Sequence, residues 1–177
     1  WGIFMLIVLL GAGNGLIHAF EQSASERAMN SIKIFPGWTS KSYDGLKEGR
    51  RIRLDNKDLN TTNKNFPDHV IKAGATVYQG GVNLSFGPEY VNLNLSGVYP
   101  NHTEVEVVKL FKGRFINEID IKERRKVIVL HKKTAEILFD KTHTDPIGQF
   151  VNAGNVVYQV VGLYNDKGDS GDSDAYL

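Results

Sequence analysis

The chain has 177 residues, with 21 Lys and Arg against 20 Asp and Glu, and no cysteine. That length suits one domain, or one domain plus an appendage, and a near-neutral balance argues against a general nucleic-acid binder. Without cysteine there is no disulfide scaffold, Cys-containing zinc site, iron–sulfur cluster or thiol nucleophile.

The charge is unevenly placed. Trp1 to Phe20 contains no Asp, Glu, Lys or Arg, so every formal charge lies in the other 157 residues. About 20 apolar residues at helical rise span a hydrocarbon core, and WGIFMLIVLLGAGNGLIHAF has that length. Three readings compete. A signal peptide wants a basic n-region, and none precedes this apolar run. A buried soluble helix is the second reading, against which residues 1–10 are apolar on every face. The exit half of a transmembrane helix fits best. Gly11-Ala-Gly13-Asn-Gly15 begins like a dinucleotide fingerprint but fails at Leu16, and no strand with a trailing acid supports it. Gly11 and Gly15 instead form a small-xxx-small pair, which lets membrane helices approach closely.

Glu21 to Asn30 is polar and rich in helix formers, and it reads as the same helix leaving the membrane. Ser31 to Phe35 alternates and stops at Pro36-Gly37, the pattern of a strand ending in a turn. Residues 37–57 are loop-like and basic, and Asp58 to Lys72 can hold a helix interrupted near Pro67. From Ala75 the pattern turns to strands: Thr76–Tyr78, Val82–Phe86 and Tyr90–Ser96, with Gly80-Gly81 and Gly87-Pro88 as turns. In the last of these Val91, Leu93 and Leu95 share one face. Glu104–Leu110 and Lys126–Leu130 are further candidate strands. Lys132 to Asp140 fits a short amphipathic helix with Ala135, Leu138 and Phe139 inward. Asp145 to Gly148 is a turn. Phe150–Ala153 and Val156–Leu163 form a hairpin through Gly154-Asn155, and the Asp-rich, Gly/Ser-rich stretch from Asn165 to Asp174 is a loop. The sum is an α+β fold with more strand than helix and no internal repeat.

Candidate chemistry is sparse. Gly168-Asp-Ser-Gly171 copies part of a serine-protease nucleophile loop, but residue 172 is Asp and no matching His precedes it. His102-Thr-Glu104 and His143-Thr-Asp145 could share a strand face, but both fall in loop-like sequence and read as surface histidines. Asp166, Asp169, Asp172 and Asp174 lack the order of a calcium loop. Lys122, Arg124, Arg125, Lys126, Lys132 and Lys133 concentrate positive charge that nucleic acid or anionic lipid could use. No aromatic interleaves them as a stacking platform would require, so a solvated face is the simpler reading. No catalytic, cofactor or metal residues are assigned.

Several segments in order carry a resemblance. WGIFMLIVLLGAGNGL, IKIFPGWTS with Gly45 to Leu54, the Gly97-Val-Tyr-Pro100 element, and Gly113-Arg114-Phe-Ile with Asp120 come first. Lys126–Leu130, Ala135, Leu138-Phe139, Ile147-Gly148 and Tyr158 to Gly162 follow. Together they resemble the periplasmic core domain of bacterial ABC-transporter permeases of the macrolide-export and lipoprotein-release type, in the style of Bacteroidetes members. The resemblance implies the end of a first transmembrane helix (1–20), a helical extension (21–30), a membrane-proximal α/β subdomain left incomplete (31–74) and an inserted strand-rich subdomain (75–165). A loop and the start of a return strand (166–177) would follow. It implies Gly97, Pro100, Gly113, Arg114, Gly148 and Gly162 as fold-defining positions, with Gly11 and Gly15 packing the membrane helix. It implies a non-enzymatic role in the bacterial inner membrane and periplasm, driven by a separate cytoplasmic ATPase subunit and using no cofactor. Its implied partners are a periplasmic adaptor or lipoprotein substrate and a second permease in a homo- or heterodimer, with no nucleic acid. The alternative is a membrane-anchored extracytoplasmic binding or sensor domain without a transport role.

Overall fold

A computed structural model describes residues 1–25, 31–106, 108–165 and 175–177, with side chains left aside at 20–25. The chain divides into two units, Trp1–Ile52 with Thr103–Val107, and Arg53–His102 with Val108–Leu177.

In the first unit, α1 (Gly2–Ser25) runs without a break for 24 residues. Its apolar window Gly2–Ala19 is long and apolar enough to cross a membrane, and none of it is buried within the protein. The helix passes Phe20 by at least five residues; the rest of the expected extension, 26–30, lies outside the described residues. The expected strand at Ser31–Phe35 does not form. Ile32, Ile34 and Phe35 are 88%, 74% and 75% exposed, and an alternating pattern becomes a strand only when a partner takes its backbone hydrogen bonds. Two isolated bridges, Trp38 to Arg51 and Tyr43 to Leu46, lie in the loop that follows.

The second unit opens with α2 (Asn56–Asn65), held by a capping box in which Asp55 and Asp58 serve each other's backbone N–H. The helix ends just before the expected break at Pro67. Seven strands follow in one sheet: β1 (Thr76–Phe86), β2 (Glu89–Val98), β3 (Leu110–Gly113), β4 (Val127–His131), β5 (Phe150–Ala153), β6 (Val156–Tyr164) and β7 (Ala175–Tyr176). Their order is β3-β6-β4-β7-β2-β1-β5, and β5 also pairs with β6. That extra pairing closes β6, β4, β7, β2, β1 and β5 into a ring, with β3 continuing alongside β6, so β6 has three neighbours, the other five ring strands have two each, and β3 has one.

Several local expectations need correction. Gly80-Gly81 is not a turn between two strands. It is a bulge inside one continuous β1, where the register with β2 shifts between Gln79 and Val82 and Gly81 takes φ +69°. Glu104–Leu110 is not a strand: a one-turn helix, α3 (His102–Val105), precedes β3, which starts at Leu110. A further element, α4 (Glu118–Lys122), is a five-residue helix capped by Asn117. By contrast, the Gly87-Pro88 and Gly154-Asn155 hairpins form as expected, as does α5 (Lys132–Phe139), with Ala135, Leu138 and Phe139 buried.

The core sits on both faces of the sheet. One cluster takes Leu84, Leu93, Ile128, Val151, Val160 and Ala175 from all six strands of the ring, sealed by Leu138 and Phe139 of α5. The other holds Val98, Phe115, Ile116, Val127, Val129, Tyr164 and Tyr176. Successive residues divide between them: Ile128 and Leu130 belong to the first, Val129 to the second, as period-two strands require.

Candidate functional site

The family-motif residues of β3 and β6 meet at one point. Gly113 and Gly162 are direct partners in the β3–β6 ladder. Gly113 holds φ +79°, and a Cβ there would lie 2.3 Å from the Val161 carbonyl oxygen. A Cβ on Gly162 would lie 2.1 Å from the Arg114 carbonyl oxygen. Both distances are far inside contact range, so neither position has room for a side chain. The Arg114 N–H donates to Val161 O at 3.0 Å, and the Gly148 N–H donates to Val160 O at 2.8 Å. The turn at Gly148, with φ +85°, therefore ends on the same stretch of β6.

Arg114 turns this backbone junction into a charged one. Its guanidinium donates both nitrogens to Asp120, at 2.5 Å and 3.0 Å, and also donates to the Phe115 carbonyl at 3.0 Å. Asp120 in turn accepts from the Asn117 backbone N–H at 3.0 Å, while the Asp120 N–H donates to the Asn117 side chain at 2.9 Å. Arg125 approaches the same carboxylate at 3.9 Å. Asp120 is 2% exposed. The Arg114 hydrogen bond holds its carboxyl below the usual range; burial pushes the other way, and the Asn117 N–H and the charges of Arg114 and Arg125 add to the lowering. A buried carboxylate with a bidentate arginine and a backbone donor is a fixed joint, tying β3 to α4 and the start of β4.

Other sequence candidates lie apart from this joint. Gly97 sits in β2 opposite Val77, where a Cβ would make an ordinary 3.8 Å contact, and Pro100 lies in the half-buried turn closed by His102 N–H on Tyr99 O. Gly11 and Gly15 lie on α1 with open space around them. His102 is not a surface residue as expected: it is buried, its ring 5.3 Å from that of Tyr176. His143 is exposed in the left-handed position that ends a 3-10 turn. No group of three or more metal-ligating side chains occurs among the described residues. Of the basic cluster, Arg125 pairs with Glu123, while Lys132 lies 3.7 Å from Glu136 and 4.9 Å from the centre of the Phe111 ring. The Gly168–Gly171 motif and Asp166 to Asp174 lie outside the described residues.

The family model for the MacB-like periplasmic core domain matches residues 1–177. This chain belongs to that family. It is similar to the macrolide export ATP-binding/permease protein MacB of Bartonella henselae, at 22% identity over 97% of this chain and 25% of the relative. It is 27% identical to that of Neisseria meningitidis, over 99% of this chain and 26% of the relative. The chain thus spans about a quarter of the length of the curated relatives it matches. Among solved structures, the periplasmic region of MacB from Actinobacillus actinomycetemcomitans superposes with a TM-score of 0.60 at 22% identity, covering 78% of this chain and 61% of that one. The extracellular domain of the noncanonic ABC-type transporter YknZ from Gram-positive bacteria gives 0.60 at 24%, covering 70% and 61%. In this chain an apolar helix precedes a strand-rich α+β domain whose fold is that of these solved domains.

Proposed function

We propose that this chain is the periplasmic core domain of an ABC-transporter permease, held at the bacterial inner membrane by α1, and that it passes ATP-driven motion across the membrane to export or release a substrate. One observation carries the reading: a helix whose uncharged apolar window, Gly2–Ala19, is not buried at all stands in a chain that the family model matches over residues 1–177. The role is mechanical. ATP is hydrolysed by a cytoplasmic ATPase outside these residues, and motion reaches the periplasm through membrane helices.

A domain that transmits motion must resist deformation. The sealed strand ring and the Arg114–Asp120 joint supply that stiffness, with Gly113 and Gly162 as close-packed backbone positions and Gly148 as a positive-φ turn, none of them contacts with cargo. Gly11 and Gly15 suit α1 to packing against a second membrane helix. The partners are the ATPase, a second permease subunit, and a periplasmic adaptor or a lipoprotein substrate.

Co-reconstitution of the full-length protein with its ATPase tests this. ATPase stimulation by the permease is expected. Absence of both association and stimulation contradicts the reading and favours an anchored binding or sensor domain.

A further inference from the structure

The loop from Gly37 to Ile52, within the first unit, is ordered by its own backbone yet buries no apolar side chain. The Ile52 N–H donates to Gly37 O at 2.8 Å, Thr39 N–H to Arg50 O at 2.9 Å, and Gly49 N–H to Thr39 O at 2.8 Å. The Arg50 N–H reaches the Thr39 hydroxyl at 3.0 Å, and its guanidinium reaches the Lys47 carbonyl at 2.9 Å. At the tip, Tyr43 and Leu46 exchange N–H···O bonds around Asp44 and Gly45, whose φ of +48° and +74° make a tight two-residue hairpin turn.

This frame presents a particular set of side chains. Trp38 is 69% exposed, Tyr43 80% and Leu46 49%. Lys41, Lys47, Arg50 and Arg51 stand against Asp44 and Glu48 alone, and among the described residues no ion pair engages these four cations. Tryptophan and tyrosine beside lysine and arginine are the side chains that settle at a membrane–water interface, with rings at headgroup level and cations on the phosphates. The loop is also tethered. Eleven residues separate it from the end of α1, a reach of at most about 40 Å, which keeps the loop near any bilayer that α1 crosses.

We propose that Gly37–Ile52 is a lipid-contact loop that docks on anionic phospholipid headgroups, with Trp38 and Tyr43 at the interface and Lys41, Lys47, Arg50 and Arg51 on phosphate. The proposal rests on the reading that α1 spans the membrane. An acidic protein segment would satisfy the charges too. It would not call for interfacial aromatics beside a membrane tether, so lipid is the occupant the loop fits.

The sequence has two tryptophans, so Trp1→Phe leaves Trp38 as the sole reporter. The 177-residue chain carrying that change is reconstituted in vesicles of phosphatidylcholine alone or mixed with phosphatidylglycerol, with brominated acyl chains as quencher. Alkaline extraction reports separately whether α1 is inserted. With α1 inserted, Trp38 is expected to be quenched in the phosphatidylglycerol vesicles and not in phosphatidylcholine. Lys41→Gln and Lys47→Gln should each lower the docked-to-free ratio about fivefold, and added salt should lower it in the unchanged loop. Trp38 unquenched in both lipids, or quenched equally in both, overturns the proposal while leaving α1 in the membrane. Shielding of Trp38 only on addition of a soluble acidic protein overturns it in favour of a protein partner. Extraction of the chain at alkaline pH refutes the membrane reading of α1, and the proposal with it.

Discussion

Gly162 lies directly beneath the carbonyl of Arg114: a Cβ at 162 would stand 2.1 Å from that oxygen, where no atom fits. The contact locks β3 against β6 at the point where Arg114 turns to grip Asp120. Gly162→Ala must push the two strands apart, at a cost of about 2–4 kcal/mol. Gly97→Ala is the control, because its added methyl meets nothing closer than 3.8 Å; its cost should stay below about 1 kcal/mol. Equal thermal midpoints for the two variants would contradict the packing described.

The Arg114–Asp120 pair should make the domain acid-sensitive in a defined direction. The Asp120 carboxyl is held below its ordinary value in the folded state. The stabilisation it brings is therefore full above the unfolded carboxyl range and is lost as pH falls through the folded value. Asp120→Asn should cost about 1–3 kcal/mol near neutral pH, because Arg114 and the Asn117 N–H lose a charged acceptor. The same variant should lose less stability than the parent on acidification from about pH 6 to pH 3. Parallel pH–stability curves would refute a role for this carboxylate.

β7 is only two residues long, yet it fills the slot between β4 and β2. Ala175 is fully buried in one cluster, and the Tyr176 ring stands 4.9 Å from Tyr164 and 5.6 Å from Phe115 in the other. Tyr176→Ala should cost about 3–5 kcal/mol. Ala175→Asp should prevent closure of the ring by burying an unpaired charge. Chemical denaturation followed by far-UV circular dichroism reads both.

The uncharged window Gly2–Ala19 of α1 makes its own prediction. Leu9→Arg places a charge near the middle of the apolar window and should raise the insertion cost by about 2.5–3.5 kcal/mol. The variant should shift toward the alkali-extractable fraction. Unchanged membrane retention would show that α1 does not depend on a hydrocarbon environment.

Much of this fold could be read from sequence because local chemistry and tertiary partners agree. The β1–β2 and β5–β6 hairpins carry turn residues at the required places, and Gly87 and Gly154 take the positive φ that those turns need. α5 shows its buried stripe directly. Ser31–Phe35 misled because alternation records a suitable pattern and not a partner. Gly80-Gly81 misled because two glycines suit a bulge as well as a turn. The α4 helix could have been found from Asn117 and Asp120, which are spaced as a capping box, although five residues give no periodicity. At the candidate site, Gly113, Arg114, Gly148 and Gly162 were each visible as motif residues. Their convergence was not, because it depends on β3 and β6 pairing across about 50 residues of chain. The burial of His102 was likewise hidden, since its cover comes from Tyr176, far along the sequence.

The proposed transmission role requires the strand-rich domain to move in response to nucleotide on the other side of the membrane. These 177 residues contain no cysteine, so Tyr90→Cys, at a site 72% exposed on β2, adds one label position to them. The full-length protein, with any cysteines elsewhere replaced, is reconstituted with its ATPase. The height of the label above the bilayer is then read by energy transfer to a membrane dye, without nucleotide and with ATP bound. A change of height between the two states, reversed on hydrolysis, is the predicted result. An identical height in both states, with the ATPase turning over, would contradict the account.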